Sequence, residues 1–251
     1  MVQAIPARTL AAAALLATVA TASTANAQGT GFYVRGDLGI AFTGDAETRD
    51  DNCGSPNPFF GCGTTLDSSA GTSVAVGGGF GYRFAPWFRS DLTLSYRPMF
   101  DVDGTIVRAG AADRPFEADV SSVTGMFNGY LDLAGFLPRS KLGVFQPYVG
   151  AGLGFAHNMM DDITSHSPTT PGLIQTSPGG SDTSLAWMVT AGTGIDAGHG
   201  IIVDLGYKYL DMGEFSSDAG QACAGGACRN VDPVTGDLAA HEFSVGIRYG
   251  F

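Results

Sequence analysis

The last ten residues, EFSVGIRYGF (242–251), alternate strictly between two kinds of side chain. The apolar set is Phe243, Val245, Ile247, Tyr249 and Phe251. The polar or small set is Glu242, Ser244, Gly246, Arg248 and Gly250. A period of two indicates a β-strand whose faces meet different environments, because successive side chains of a strand point to opposite sides. We therefore predict a terminal strand with one apolar face.

The same alternation recurs in seven earlier segments. They lie within residues 32–42, 74–84, 91–97, 127–133, 149–155, 185–196 and 201–209. Each segment is about as long as the 9–11 residues that a strand needs to cross a membrane. After Gln28 we find no helical pattern. We therefore predict an all-β protein built from eight antiparallel strands.

Charged residues within these strands all fall on the face opposite the apolar one. The six bases are Arg35, Arg83, Arg89, Arg97, Lys208 and Arg248. The six acids are Asp37, Asp91, Asp132, Asp196, Asp204 and Glu242. In a membrane barrel this face lines the lumen. Equal numbers favour a plug of ion pairs, because desolvated charges need partners; a hydrated ion path is the alternative.

The connections between strands alternate between short and long. The long ones cover about residues 44–71, 101–117, 158–182 and 212–240. A soluble sandwich would also show alternating strands, but short periplasmic turns and long outer loops are typical of outer-membrane barrels. An even number of strands then places both termini in the periplasm.

The first 27 residues have the features of a signal peptide. Arg8 precedes an apolar run over residues 10–20, and Ala25-Asn26-Ala27 forms a small-residue cleavage site. We predict cleavage before Gln28, with residues 28–251 as one outer-membrane barrel domain.

The four cysteines form two close pairs within long connections. Export to an oxidising compartment favours disulfides, and the spacing does not match a zinc site. We favour local bridges Cys53–Cys62 and Cys223–Cys228, with cross-loop pairing left open.

Composition limits the function classes. The net charge of −11 argues against binding nucleic acid, whose phosphates need a basic surface. The acidic loops lack the regular spacing of a calcium motif, so we expect no metal and no cofactor. We expect no enzyme, because no nucleophile is fixed beside His157, His166, His199 or His241. Catalysis on lipid A and haem capture by His157 or His166 are less favoured alternatives.

Three stretches resemble a known group of proteins: PYVGAGLGF (147–155), GYKYLDMG (206–213) and FSVGIRYGF (243–251). They resemble the small eight-stranded outer-membrane barrels, which include OmpA-like transmembrane domains, OmpX and opacity-type proteins, and alphaproteobacterial small surface antigens. The resemblance implies an up-and-down transmembrane β-barrel in the cell outer membrane. It also implies that Tyr249 and Phe251 belong to a signal for the outer-membrane assembly machinery.

The function that we predict is structural. Such a barrel would contribute to envelope integrity and to surface interactions, through acidic, disulfide-containing outer loops. Its expected partners are outer-membrane lipids, lipopolysaccharide and an unidentified extracellular ligand. The alternative is a narrow, passive, porin-like pore for ions or small solutes.

Overall fold

The computed structural model describes residues 30–44, 48–49, 56–57, 64–108, 114–136, 142–167 and 173–251. The predicted signal peptide (1–27) and Cys53 and Cys62 lie outside the described residues. Eight long strands dominate the fold: β1 (Gly31–Thr43), β2 (Thr72–Ala85), β3 (Phe88–Arg108), β4 (Arg114–Asp132), β5 (Phe145–Met160), β6 (Gly180–Gly198), β7 (Ile201–Ser216) and β8 (Thr235–Gly250).

The eight strands form one closed antiparallel barrel. Each strand pairs with its neighbour in the chain, and β8 returns to pair with β1, where Ile40 lies opposite Phe243. The prediction of an eight-stranded up-and-down barrel is confirmed. In the described part of the chain, no helix is long and apolar enough to cross a membrane.

The short connections all lie at one end of the barrel, which we call the turn end. Residues 86–87 join β2 to β3, and residues 133–144 join β4 to β5. His199 and Gly200 join β6 to β7, where His199 has a φ of 56° between two glycines that also have positive φ. Glycine adopts this left-handed conformation without steric cost, so the sequence Gly-His-Gly suits a tight hairpin. The opposite end is the loop end.

Toward the loop end, the strands continue well past the length predicted. The predicted length was about 9–11 residues, as a membrane barrel needs, whereas β3 has 21 residues and β4 has 19. The predicted connection 101–117 is mostly the hairpin of β3 and β4. Pairing satisfies backbone N–H and C=O groups that would otherwise need other partners.

Short strands in the loops extend the same sheet. They are Thr48–Arg49, Thr64–Ala70, Ile163–His166, Ile174–Ser177, Gly220–Ala224 and Ala227–Val231. Ile163–His166 pairs with β4 and with Ile174–Ser177, which in turn pairs with Gly220–Ala224. We call the loop-end region, residues 100–108, 114–120, 160–167, 173–180 and 210–240, the collar.

Below the collar, the outside of the barrel carries a band of exposed apolar side chains. Leu185, Leu153 and Leu94 are exposed by 74%, 63% and 62%. Aromatic side chains lie at the two edges of this band, with Phe84 and Phe88 toward the turn end and Trp187 beside Tyr209 toward the loop end. This arrangement matches the hydrocarbon core of a membrane and its aromatic girdles.

The barrel lumen as candidate functional site

The turn-end half of the lumen is filled by paired charges and tyrosines, which we call the turn-end cluster. Its members are Tyr33, Arg35, Asp37, Arg83, Arg89, Asp91, Tyr130, Asp132, Tyr148, Asp204 and Arg248. Arg89 is fully buried and donates from Nε to Asp132 over 3.1 Å. The other oxygen of Asp132 lies 3.2 Å from Arg83. One carboxylate of β4 therefore holds two guanidinium groups.

Aromatic faces complete the surroundings of Arg89. The centre of its guanidinium lies 3.9 Å from the ring centroid of Tyr130 and 4.9 Å from that of Tyr148. A desolvated cation over a tyrosine ring is stabilised by the ring quadrupole, by up to about 2 kcal/mol. Three strands, β3, β4 and β5, thus meet at this one side chain.

Two further pairs in this cluster are bidentate. Arg248 on β8 donates from Nε and Nη2 to Asp204 on β7 over 3.1 and 3.0 Å. Arg35 on β1 donates to Asp37 over 2.8 and 2.7 Å. Arg35 also reaches across the lumen to Asp91 over 3.1 Å. A planar guanidinium matches the two oxygens of a carboxylate, which makes such pairs strong and geometrically specific.

Nearer the collar lies a separate group of three charges, which we call the triad. Arg97 on β3 donates to one oxygen of Glu242 over 2.7 Å, and Lys208 Nζ lies 2.8 Å from the other oxygen. Arg97 also donates to the Thr124 hydroxyl over 3.1 Å. The triad thus joins β3, β4, β7 and β8 across the lumen.

Asp196 lies near the turn end of β6, directly opposite Ile202, which is 3% exposed. Its carboxylate accepts a hydrogen bond of 2.9 Å from the backbone N–H of Gly198, in the hairpin at the turn end. Ile202 in turn lies opposite Arg248, whose side chain points into the lumen, so Asp196 is on the inward face. The register irregularity of β6 follows it, between Asp196 and Gly198.

Between the turn-end cluster and the collar lies a small polar cavity. Its charged lining residues are Arg35, Asp37, Arg97 and Lys208, and hydroxyls of Thr93, Ser95, Thr190 and Ser244 also line it. The cavity volume open to water is about 30 Å³, which is room for about one or two water molecules.

Inside the collar, the interior is apolar, a feature that was not predicted from the sequence. The buried members of this collar core are Phe100, Phe116, Ala118, Val120, Met160, Ile163, Leu210, Met212, Phe215, Ala222, Val231, Val234 and Leu238. Buried Asn158 ties the core to the wall, donating to the carbonyls of Met212 and Glu214 over 2.9 and 3.0 Å. The missed signal was the alternation of residues 114–122, which continues that of β4 into a segment interpreted as a loop.

A disulfide hairpin stands on the collar. Cys223 and Cys228 face each other in the paired strands Gly220–Ala224 and Ala227–Val231 and are joined by a disulfide. Gly225 and Gly226, with φ of 57° and 86°, make the two-residue turn between them. Such turns favour glycine because both central residues have positive φ.

The histidines lie apart from one another. Tyr207 Oη is 2.7 Å from Nδ1 of His241, and Thr183 Oγ1 is 2.9 Å from Nδ1 of His157, both on the outside of the barrel. His166 ends a short collar strand opposite Ile174, and His199 lies in a turn. Among the described residues, no three His, Cys, Asp or Glu side chains are grouped to hold a metal ion.

The C-terminal aromatic residues lie at the turn end. The rings of Tyr249 and Phe251 stack with centroids 6.3 Å apart, and the backbone N–H of Phe251 donates to the carbonyl of Phe32 over 3.0 Å. The end of β8 is thus joined to the start of β1, so both ends of the barrel domain meet at the turn end.

Comparisons with known proteins agree with this architecture. An uncharacterised protein of Brucella abortus is 30% identical over 198 residues, covering 72% of this chain and 67% of the relative. A protein of Rickettsia rickettsii named "putative adhesin" is 28% identical over 215 residues, covering 82% and 84% of the two chains.

Among solved structures, the outer membrane protein OprG of Pseudomonas aeruginosa has the same fold. It superposes with a TM-score of 0.52 at 17% identity, covering 89% of this chain and 97% of OprG. Residues 11–251 match the family described as the outer membrane protein beta-barrel domain. The chain therefore belongs to the outer membrane protein beta-barrel family and is a protein of the outer membrane.

Proposed function

We propose that this barrel is a structural and surface protein of the outer membrane, with a lumen closed to solutes and a collar exposed to the environment. One observation carries the proposal: side chains pack the lumen on both sides of the small cavity, with ion pairs toward the turn end and the collar core toward the loop end. The role that we propose is not catalytic.

The packing of both halves supports closure. Arg89, Arg97 and Glu242 are exposed by no more than 2%, although all three are charged. Separating such pairs leaves uncompensated charges, at a cost of about 3–5 kcal/mol for each broken pair. At the other end, Phe116, Phe215 and Leu238 are exposed by no more than 4%. A solute would have to disrupt both packings to pass.

The outside of the collar supports a role at the surface. Its outward positions include the acids Glu117, Asp119 and Asp237, which are exposed. The tip of the disulfide hairpin, residues 225–230, is exposed as well. The adhesin name of a relative agrees with a collar that contacts another surface, and the partner that we propose there is an extracellular ligand.

The outer surface of the barrel suggests which parts of the protein contact the membrane. We propose that the apolar band meets outer-membrane lipids, and that the aromatic residues at its loop-end edge meet lipopolysaccharide. The assembly machinery would read Tyr249 and Phe251. We further propose that signal cleavage follows Ala27, and that the turn end with both termini faces the periplasm.

Epitope insertion tests the orientation and the exposure of the collar. One variant carries a short epitope between Gly225 and Gly226, and its matched control carries the same epitope after His199. We expect antibody to bind the first on intact cells, and the second only after the outer membrane is permeabilised. Binding to the His199 variant on intact cells would contradict the orientation.

A narrow pore is the second candidate, because the cavity and the partly exposed Lys208 leave unfilled polar space within the lumen. Side-chain exposure of Lys208 is 20%, against 2% for Glu242 beside it. Swelling of vesicles that contain the protein, in glucose or arabinose, separates the candidates. We expect vesicles with the protein to swell at the same rate as protein-free vesicles. Rapid swelling would favour the pore.

A further inference from the structure

The small cavity in the middle of the lumen has an unusual charge balance. The turn-end cluster pairs four bases with four acids: Arg35, Arg83, Arg89 and Arg248 with Asp37, Asp91, Asp132 and Asp204. The triad pairs two bases, Arg97 and Lys208, with one acid, Glu242. The described triad thus carries one positive charge in excess.

This excess charge faces the cavity. Arg97 and Lys208 line it together with Arg35, while Asp37 is the one acid among the lining residues. Asp37 already accepts two hydrogen bonds from Arg35, so it does not serve the triad. Two cations that share one carboxylate in a largely enclosed space are incompletely compensated, and the cavity is the space in which a second counter-charge would fit.

Hydrogen-bond donors are available there. Lys208 carries three N–H donors, and its acceptor among the described residues is Glu242 Oε1. Two donors of its ammonium group are therefore left for the cavity. The hydroxyls of Ser95 and Ser244 line the same space and can also donate.

We propose that this cavity binds a small monovalent anion, with chloride as the physiological form, held by Lys208 and Arg97. The space of about 30 Å³ that is open to water has room for one small ion. The anion would neutralise the triad and link β3 to β7. This inference is independent of the role of the collar.

Crystallography with bromide is the direct test. Crystals of the unaltered protein grown in bromide should show an anomalous peak in the cavity, within hydrogen-bonding distance of Lys208 Nζ. A water molecule there, or bromide peaks confined to the protein surface, would overturn the proposal. This test needs no variant, so a folding defect cannot obscure it.

Unfolding in matched salts is the second test. When the site is near saturation, each tenfold rise in chloride should raise the folded-to-unfolded ratio about tenfold, while gluconate at equal ionic strength should not. Lys208→Met should abolish the chloride dependence and Lys208→Arg should keep it. Thr190→Val is the matched control, because the Thr190 hydroxyl is already bonded to the carbonyl of Tyr207.

One competing outcome is that a water molecule, and no anion, occupies the cavity. In that case the folded-to-unfolded ratio would respond equally to chloride and gluconate, and Lys208→Met would change neither response. That result would contradict the anion site.

Discussion

Strand β4 passes through two regions of the molecule, and its two faces exchange character between them. Near the turn end, Phe127 is 59% exposed on the outside while Asp132 is 2% exposed inside. In the collar, Phe116 is 4% exposed inside while Glu117 is exposed outside. The alternation never breaks, so one strand is apolar toward the outside and then apolar toward the inside.

Strand β8 shows the same exchange. Phe243 is 58% exposed outside next to buried Glu242, whereas Leu238 is 1% exposed inside next to exposed Asp237. Apolar side chains are most stable where water is absent. On the turn-end side of Glu242 that place is the lipid outside the barrel, and on the loop-end side it is the interior of the collar. The exchange near Glu242 therefore marks the loop-end edge of the apolar band on β8.

The two regions also depend on different interactions. Below the exchange, the interior needs each charge to find its partner, since an unpaired buried charge costs several kcal/mol. Above it, the interior needs only complementary volumes. Substitutions can therefore perturb the charge pairs of the membrane half and the apolar packing of the collar separately.

The largest expected effect comes from breaking a charge pair. Asp204→Leu leaves Arg248 without its bidentate partner, and we expect a loss of about 3–5 kcal/mol in the free energy of unfolding. The matched double variant Asp204→Leu/Arg248→Met removes both charges and should recover most of that loss. Urea unfolding in lipid vesicles measures both. A double variant as unstable as the single one would show that pairing is not the cause.

In the collar, truncation of a buried apolar side chain should cost slightly less. Leu238→Ala removes a side chain that is 1% exposed, and we expect a loss of about 2–5 kcal/mol in the free energy of unfolding. The neighbouring variant Asp237→Ala should stay within about 0.5 kcal/mol of the unaltered protein. Equal effects at the two positions would contradict an apolar collar interior.

The exchange of faces predicts that an arginine placed on the outward face of β4 will be costly at one position and harmless at another. Phe127→Arg places a cation against lipid and should cost about 2–4 kcal/mol if that position lies near the bilayer midplane. Glu117→Arg, ten residues earlier on the same face, should be nearly neutral because the position is solvated. The same unfolding measurement compares them, and a similar loss for both would place Glu117 within the membrane.

The smallest effect is expected from the disulfide hairpin. Cys223→Ser/Cys228→Ser removes a short covalent loop, and loop-closure entropy gives about 2 kcal/mol as the upper expectation. Amide hydrogen exchange should rise in the collar and stay unchanged in the membrane half. Faster exchange at Arg89 or Arg248 would mean that the two regions are not independent.

The strands of the barrel and their two faces can be predicted from the sequence, whereas the contacts inside the lumen can be predicted only in part. Alternation at residues such as Phe243 and Glu242 predicts strands and faces, because the period of a strand is a local property. The partner of a charge is not local: Arg97 and Glu242 are 145 residues apart, and strand tilt around the closed barrel decides that they meet. The hydrogen bond that the Asp196 carboxylate accepts from the N–H of Gly198 depends likewise on a local register irregularity, which the alternation does not show.

The collar core was missed for a different reason. Phe116 and Leu238 lie on the inward face of their strands, in register with the inward residues of the membrane half. They occur, however, where the outward face of the strand becomes acidic. A strand predicted only from the apolar residues of its lipid face therefore stops before the collar. Such a collar is predicted where the period of two continues without a break but the apolar residues change from the outward to the inward positions.

Conductance across a planar lipid bilayer is the measurement that tests the closed lumen most directly. The purified, folded protein should give no stable, reproducible channels, because the turn-end cluster and the collar core both fill the path. Reproducible channels whose ion selectivity shifts on replacing Arg83 or Asp204 would contradict the account and establish a pore through the charged half of the lumen.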